Sequence, residues 1–304
     1  MIKILANDKI DDQSVQALRD MDIDVTEDHY DAETLKEKIK EYDGIIIRSA
    51  TKLTKEVLKS SLETGKLKLI IRAGVGIDNI DVAFAEENGI NVENTPGAST
   101  TAVGELVVGH MLTLARHLHQ SNKTMREGKW LKKEYTGIEL EGKTLGIIGF
   151  GRMGRAAAKK AYGLGMKISY TKRSGPVKGY EHYQYLSKEE LLKSADFISI
   201  HAPFNPKVGA ILDEKAFDRM KDGVYIINCA RGGVLSEEAL LKALDSGKVA
   251  AAALDVFEEE PLEKAEIYNH DKISLSPHIG AATTEAQEKI GEEIIKIVKE
   301  HFKF

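Results

Sequence analysis

Short runs of Ile, Val and Leu alternate along this chain with longer stretches whose apolar residues recur at helical spacing. In the first third, the runs predict strands at 2–6, 23–26, 44–48, 68–72 and 90–93. The stretches between them predict helices at 11–20, 32–40, 55–62 and 82–88. Strands that alternate with helices in this way predict a flavodoxin-like α/β domain with a doubly wound parallel sheet.

A second α/β series follows a long helical stretch at 101–127, whose apolar positions are Val103, Leu106, Val107, Met111, Leu114 and Leu118. After a loop at 128–142, strands are predicted at 144–148, 167–171, 196–201, 223–228, 249–254 and 272–275, and a closing helix at 283–301. We expect this series to form a domain over 97–282, inserted into a first domain made of 1–96 and 283–304.

A glycine-rich turn joins the strand at 144–148 to a helix, with the sequence Gly149-Phe150-Gly151-Arg152-Met153-Gly154. Gly149 permits a tight turn, Gly151 lets a pyrophosphate approach the backbone, and Gly154 lets the helix pack on the strand. Strand, turn and helix in this order predict a Rossmann dinucleotide-binding unit. The alternative is a structural turn without a ligand.

The strand at 167–171 ends in Thr171, Lys172 and Arg173, where NAD-preferring units carry an Asp or Glu that binds the ribose 2′-hydroxyl. Cations and hydroxyls at this place could hold a 2′-phosphate, which an acidic residue would repel. The sequence therefore favours NADP over NAD. The alternative is an exposed basic turn that leaves NAD acceptable but loosely held.

Three polar residues, Arg231, Glu260 and His278, follow successive strands of the second series. The carboxyl ends of parallel strands are where ligands bind in open α/β sheets. Arg231 could hold a carboxylate through two hydrogen bonds, and His278 could act as an acid or base, oriented by a buried Glu260 that raises its pKa. Taken singly, each has a plainer interpretation: a surface ion pair, a solvated acidic turn and a structural histidine.

Composition narrows the function further. The chain has 304 residues and a net charge of −5, which argues against a nucleic-acid-binding surface. Cys229 is the only cysteine, no signal peptide is evident, and no apolar run approaches the roughly 20 residues of a membrane span. We expect a cytoplasmic protein with no membrane partner and no bound metal.

These motifs resemble the D-isomer-specific 2-hydroxyacid dehydrogenase family, and within it the phosphoglycerate branch, over almost the whole chain. The resemblance lies in segments 47–54, 72–81, 94–98 and 142–154 and in the three strand ends that carry Arg231, Glu260 and His278. It implies that Arg231 anchors the substrate and that Glu260 and His278 form the proton-transfer pair. It also implies that several further residues line the cofactor site, namely Val75, Ala202, Cys229, Ala230, Asp255 and Gly280.

The resemblance also bears on substrate and assembly. The loop Gly74-Val75-Gly76 matches the loop that grips a substrate carboxylate, and Arg48, Ser49, Arg72 and Lys132 are candidates to bind the rest of an anionic substrate. Dimers of this family imply a homodimer through residues 99–142. The chain ends soon after the closing helix, so we expect no C-terminal regulatory domain.

Basic residues away from the reacting carbon favour D-3-phosphoglycerate as substrate, because its phosphate needs a second cationic anchor. Arg48 and Arg72 could instead form structural ion pairs. An NADPH-linked reductase of glyoxylate, hydroxypyruvate or a lactate-type ketoacid is the alternative enzyme. A cofactor-sensing protein of the corepressor kind is the alternative outside enzymes.

Overall fold

The computed structural model describes all 304 residues and divides them into two compact units. Unit 1 comprises Met1–Ser99 and Ala281–Phe304, and unit 2 comprises Thr100–Gly280. Each unit is built on one all-parallel sheet with helices on it, so the predicted α/β fold class is confirmed. None of the helices is long and apolar enough to cross a membrane.

The sheet of unit 1 has five strands in the order β2-β1-β3-β4-β5. The strands are β1 Lys3–Ala6, β2 Asp24–Thr26, β3 Gly44–Ile47, β4 Leu69–Arg72 and β5 Asn91–Asn94. The helices are α1 Asp12–Arg19, α2 Ala32–Lys38, α3 Lys55–Ser61, α4 Val82–Glu87 and the closing helix α12 Thr284–Phe302, and a short 3₁₀ turn spans Ile39–Glu41.

Both faces of this sheet are covered, which explains why its central strands are apolar throughout. Ile45 and Ile47 of β3 pack with α2 and α3 on one face, whereas Ile46 lies in the core of the other face. That second core includes Ile290 and Ile294 of α12. The C-terminal helix is thus part of the unit formed by the N-terminal third of the chain.

The sheet of unit 2 has seven strands in the order β12-β11-β10-β9-β6-β7-β8. The strands are β6 Thr144–Ile148, β7 Lys167–Thr171, β8 Gln184–Tyr185, β9 Phe197–Ile200, β10 Val224–Asn228, β11 Val249–Leu254 and β12 Ile273–Leu275. The helices are α5 Thr100–Ala115, α6 Leu118–Arg126, α7 Arg152–Gly163, α8 Lys188–Ser194, α9 Glu214–Asp218, α10 Glu237–Asp245 and α11 Ala265–Tyr268. Strands β7 and β8 lie on one side of β6, and strands β9 to β12 lie on the other, which puts a topological switch point between β6 and β9.

The carboxyl ends of five of these strands are in register. Ile148 of β6 pairs with Ile200 of β9, Ile200 with Asn228 of β10, Asn228 with Leu254 of β11, and Leu254 with Leu275 of β12. The residue after each strand therefore leaves the sheet at the same edge. This register brings the glycine-rich turn and the three strand-end motifs of the sequence together.

The prediction of one continuous helix at 101–127 is wrong, because the structure divides this segment into two helices, α5 and α6. His117 at the break has a φ of 51°, in the left-handed region, and the carbonyl of Ala115 accepts a hydrogen bond from the N–H of Ile138. Leu118, expected on the apolar stripe, is 50% exposed. His117 is the N-cap residue of α6, two positions after α5 ends at Ala115.

Strand β8 was not predicted. It pairs with β7 at the sheet edge, and both of its residues are exposed. Two exposed residues give no hydrophobic periodicity, so the sequence held no signal for this strand.

Candidate functional site

The glycine-rich turn has the backbone that a bound pyrophosphate needs. Gly149 has a φ of 97°, and a side chain there would strike the carbonyl of His201. Helix α7 begins after Gly151 without a side-chain cap, and a side chain at Gly151 would meet only open space. The free N–H groups of the first turn of α7 therefore face a space that an anion can enter. These residues fit a dinucleotide.

The loop that follows β7 is held by aromatic packing. Phe150 of the glycine-rich turn stacks on Tyr170 with ring centroids 3.9 Å apart, and the Tyr170 hydroxyl accepts a hydrogen bond from the N–H of Val177 at 2.9 Å. Lys172 is half-buried, Arg173 is exposed, and neither forms an ion pair within the chain. The loop thus presents two uncompensated positive charges where NAD-preferring units present an acid.

Arg231 stands on a turn that the Asn228 side chain shapes. Asn228, which is 1% exposed at the end of β10, accepts from the N–H of Ala230 at 3.1 Å and donates to the carbonyl of Arg231 at 3.0 Å. A side chain at Gly232 would strike the carbonyl of Phe257, so the turn packs directly on the segment that leads to Glu260. Arg231 is therefore placed beside the carboxylate of Glu260.

His278 and Glu260 form a hydrogen-bonded pair, with His278 Nδ1 2.7 Å from Glu260 Oε2. The other carboxylate oxygen, Oε1, accepts from the N–H of Phe257 at 3.1 Å. Because an ionised carboxylate can only accept, Nδ1 carries the proton of the neutral imidazole. His278 Nε2 is then a free acceptor that can take a proton from a bound molecule.

The expectation of a buried Glu260 is wrong. The Glu260 and His278 side chains are each 34% exposed. Desolvation raises the pKa of Glu260, but the hydrogen bond from His278 and the charges of His278 and Arg231 outweigh it and hold this pKa below its ordinary value. The pair thus keeps an ionised carboxylate through its hydrogen bonds and nearby cations.

Asp255, directly after β11, is 1% exposed, and its carboxylate binds the turn that carries His278. Oδ1 accepts from the Ser276 hydroxyl at 2.6 Å and from the N–H of Ile279 at 2.9 Å, and Oδ2 accepts from the N–H of Gly280 at 2.9 Å. A buried charge with three donors is well compensated. Asp255 thereby fixes the backbone on both sides of His278.

A separate charge cluster holds the segment 257–264 against α10. The Nζ atom of Lys264 lies 2.7 Å from Glu237 Oε2 and 2.8 Å from Glu258 Oε2. Each glutamate also accepts from the backbone N–H of the other, at 2.7 and 3.0 Å. The Glu237 side chain is only 4% exposed, so Lys264 neutralises a buried carboxylate beside the segment that carries Glu260.

The candidate substrate residues of unit 1 occupy two loops. Arg48 follows β3, forms no ion pair within the chain, and lines an open cleft of about 570 Å³. The other lining residues are 11–13, 282–284, 287 and 288, which include the carboxylates of Asp11, Asp12 and Glu288. Ser49 next to it is exposed. In the second loop, the N–H of Gly74 donates to the carbonyl of Arg72, so this amide is not available to a ligand, whereas those of Val75 and Gly76 have no acceptor in the chain.

The remaining predicted residues vary in their surroundings. Burial, with the charge of Asp255, raises the pKa of Cys229 well above its ordinary value, so its thiol is unreactive. Ala202 and Ala230 are half-buried, Gly280 is buried, and Lys132 is exposed. Of the fingerprint side chains, Arg152 is exposed, Met153 packs against the core of unit 2, and Gly154 is buried.

His201, which directly follows β9, has a structural partner. Its Nε2 lies 2.9 Å from the Ser199 hydroxyl, and burial lowers its pKa to about 4. The ring is therefore neutral near pH 7. It is not a source of positive charge at this edge of the sheet.

Comparison with known proteins agrees with this geometry. The model of the NAD-binding domain of D-isomer specific 2-hydroxyacid dehydrogenases matches residues 108–280, which include the glycine-rich turn and the strand ends that carry Arg231, Glu260 and His278. The chain belongs to the D-isomer-specific 2-hydroxyacid dehydrogenase family. It is accordingly an NAD(P)-dependent oxidoreductase of D-2-hydroxyacids, as the motifs predicted.

Members of the family with different substrates resemble this chain. A hydroxypyruvate reductase of Thermotoga maritima is 44% identical, with 98% of each chain covered. The D-3-phosphoglycerate dehydrogenase of Sus scrofa is 41% identical over 96% of this chain, which spans only 55% of that protein. The crystal structure of a glyoxylate reductase from Paecilomyes thermophila superimposes with a TM-score of 0.90 at 31% identity, covering 98% of this chain and 94% of that one.

Sequence reasoning missed several polar residues that shape this dehydrogenase site. Asn228 and Ser276 lie inside the same motifs as Arg231 and His278, but an amide and a hydroxyl do not by themselves indicate acid–base or carboxylate-binding chemistry. His110 lies on the buried face of α5 with Val103, Val107 and Leu114, where a polar ring needs a partner. The apolar spacing around His110 was the signal by which the sequence could have indicated this residue. The cluster of Lys264, Glu237 and Glu258 gave no signal in the sequence, because it joins residues up to 27 positions apart.

Replacing Lys264 with Met is expected to destabilise the protein, because it leaves the buried Glu237 carboxylate without its cation. With Lys264 itself 45% exposed, we expect a loss of about 1–2 kcal/mol in the free energy of unfolding, below the range for fully buried pairs. Urea denaturation followed by circular dichroism would measure it.

The matched control is Lys242→Met on α10, since Lys242 pairs with Glu238 and both side chains are exposed. This variant should unfold at the wild-type urea concentration. Equal destabilisation of the two variants would contradict a specific role for Lys264.

Proposed function

We propose that this chain catalyses reversible oxidation of a D-2-hydroxyacid at C2, with His278 as the acid–base group. The observation that carries the proposal is the 2.7 Å pair of His278 Nδ1 and Glu260 Oε2, at the sheet edge that also carries the glycine-rich turn. Geometry of this kind supplies a base with a fixed tautomer.

The proton path follows from the tautomer. With Nδ1–H donated to Glu260, Nε2 accepts the proton of the substrate hydroxyl, and the ionised Glu260 stabilises the imidazolium that forms. The residues assigned to hold the dinucleotide are the glycine-rich turn and residues 171–173, whereas the buried Asp255 holds the turn that carries His278. When bound, the nicotinamide supplies the acceptor for the hydride from C2. In the reverse direction, the imidazolium returns its proton to the keto oxygen.

Arg231 is assigned to the substrate carboxylate. A guanidinium can hold a carboxylate through two parallel hydrogen bonds, which fixes the orientation of C2 as well as adding charge. The Asn228 side chain supports this role by holding both the Ala230 N–H and the Arg231 carbonyl. The amides of Val75 and Gly76 are assigned to the same class of anionic group.

Replacing His278 with Ala should lower the turnover number by about 10²–10⁴, the usual contribution of general acid–base catalysis. Arg231→Lys should also be severe, because an ammonium cannot form the two-bond fork. Steady-state kinetics with the best ketoacid substrate would measure both. His119→Ala on α6 is the control and should retain turnover. Near wild-type turnover of the His278 variant would refute the proposed mechanism.

We further propose NADP(H) as the preferred cofactor. Lys172 and Arg173 carry positive charge without an acidic partner, and Thr171 replaces the acid that would bind the ribose 2′-hydroxyl. A 2′-phosphate would pair with these cations, whereas NAD would gain nothing from them. The same residues could also tolerate NAD.

Thr171→Asp should shift the preference toward NAD, because a carboxylate at this place repels the 2′-phosphate and can accept from the ribose 2′-hydroxyl. The measurement is the ratio of the specificity constants, kcat/KM, for NADPH and NADH. The control is Thr64→Asp, the same change at an exposed position of unit 1. An unchanged ratio in the Thr171 variant would show that this loop does not read the ribose.

For the substrate, we propose D-3-phosphoglycerate, oxidised to 3-phosphohydroxypyruvate in the manner of a serine-biosynthetic enzyme. Its phosphate needs a cation in addition to the one that holds the carboxylate. Arg48 meets this need, since its guanidinium has no ion-pair partner in the fold and lines an open cleft. A structural ion pair, the plainer explanation for an arginine here, is not formed by Arg48.

The second candidate is reduction of hydroxypyruvate or glyoxylate. It is favoured by the hydroxypyruvate reductase of Thermotoga maritima, which matches this chain in length and at 44% identity. In this case Arg48 would have no substrate group to bind, and the physiological direction would be reduction. A non-enzymatic cofactor sensor would show no turnover with any hydroxyacid.

A panel of ketoacids separates these candidates. Reduction of 3-phosphohydroxypyruvate, hydroxypyruvate, glyoxylate and pyruvate with NADH and NADPH should give the highest kcat/KM for the phosphorylated substrate. Arg48→Gln should lower kcat/KM for that substrate alone, and Lys52→Gln, at an exposed position nearby in sequence, should not. If phosphorylation brings no advantage, the phosphate anchor is wrong and the small-ketoacid reductase takes its place.

We also propose a homodimer formed through residues 99–142. This part of unit 2 exposes several large apolar side chains, among them Leu118, Met125 and Trp130, of which Trp130 is 77% exposed. Such a surface is typical of one that is covered by a partner. Sedimentation equilibrium at micromolar concentration should give twice the chain mass of 33.5 kDa. A single species of 33.5 kDa would refute the dimer.

A further inference from the structure

The turn that carries His278 depends on a single buried acceptor. His278 has a φ of 52°, in the left-handed region that residues other than glycine rarely adopt, and its N–H donates to the carbonyl of Ser276 at 3.1 Å. All three donors to the Asp255 carboxylate flank it, from Ser276, Ile279 and Gly280. An uncommon backbone conformation of this kind persists only where its surroundings impose it.

The Ser276 hydroxyl connects this acceptor to helix α5. Its oxygen lies 2.6 Å from Asp255 Oδ1 and 3.1 Å from His110 Nε2, and both Ser276 and His110 are at most 9% exposed. A hydroxyl has one hydrogen, and the ionised carboxylate can only accept it. The Ser276 oxygen must therefore accept from His110, which fixes the proton of the neutral imidazole on Nε2.

The neutral state of His110 agrees with its surroundings. Burial lowers its pKa, and the charge of Asp255 only partly opposes this effect. The hydrogen bonds then run in one direction, from the His110 ring through the Ser276 hydroxyl to Asp255. Donors and acceptors aligned in this way strengthen one another.

We propose that His110 and Ser276 are positioning residues for the acid–base histidine, acting through Asp255. The relay ties α5 to the turn 276–280 and so sets where the His278 ring lies relative to Glu260 and the substrate. This inference rests on the proposed role of His278. Neither residue touches the reacting atoms, so their effect is on the placement of His278 and not on the binding of the substrate carboxylate by Arg231.

Four variants test the relay. Ser276→Ala removes one donor to Asp255 and leaves the His110 N–H without an acceptor, and Ser276→Thr restores the hydroxyl. His110→Leu removes the ring donor at similar volume, and His110→Gln offers an amide N–H in its place. The control is His119→Leu, since His119 binds the carbonyl of Asp271 and lies outside the relay. His278→Ala is included to test the proposed function itself.

The expected result is a loss in kcat without a matching change in KM. Ser276→Ala and His110→Leu should lower kcat for ketoacid reduction about 10-fold to 100-fold, the range for a misplaced catalytic group. The KM of the ketoacid should stay within about twofold, because Arg231 is untouched. Ser276→Thr and His110→Gln should recover most of the kcat, and the thermal midpoint should report folding separately.

Two outcomes would overturn the relay while leaving the proposed function intact. One is wild-type kcat in folded Ser276→Ala and His110→Leu proteins when His278→Ala is inactive. The other is an equal loss in the Leu and Gln variants of His110, which would show that packing and not the hydrogen bond matters. Wild-type kcat in His278→Ala would instead refute the proposed function.

Discussion

The arrangement of this site depends on one buried charge, the carboxylate of Asp255. A carboxylate that is 1% exposed must be matched by donors from the protein, since water cannot supply them. The fold meets this requirement with two backbone N–H groups and a hydroxyl from a single turn. The hydrogen bonds that stabilise the charge are therefore also the ones that fix the conformation of the turn. His278 is placed in its left-handed conformation as a consequence. The chemistry is thus built on an interaction that a substrate does not touch.

The register of the sheet makes that interaction possible. Because Asn228, Leu254 and Leu275 are cross-strand partners, the next residues leave β10, β11 and β12 at one level, and Asp255 faces Ser276 across neighbouring strand ends. A close backbone contact then places the loop that carries Arg231. Gly232 allows the Arg231 turn to lie on the Phe257 carbonyl, a contact that any side chain would prevent. The backbone of three loops therefore positions Arg231, Glu260 and His278. Each loop is held by a different set of contacts.

The sequence predicted the fold well because two-sided burial leaves a strong pattern. A strand such as β3, apolar at every position, is typical of a covered parallel strand between helices. The break between α5 and α6 was missed because it contains neither glycine nor proline and is produced by a tertiary hydrogen bond from Ile138. The sequence indicated that Glu260 belongs to the site. It did not indicate how exposed the Glu260 side chain is, because that depends on how Lys264 holds the segment 257–264. For His110, the only signal in the sequence was a polar residue on the apolar face of a helix.

The residues that we propose to select cofactor and substrate lie outside this supporting framework. Lys172, Arg173 and Arg48 are partly or fully exposed and form no ion pairs in the chain, so replacing them disturbs no buried partner. Asn228, Asp255 and Glu237 are the opposite case, because each is buried and its loss would leave other buried groups unmatched. In the proposed function, the buried polar residues hold the loops of the acid–base pair in place, and the exposed cations select the cofactor and the substrate.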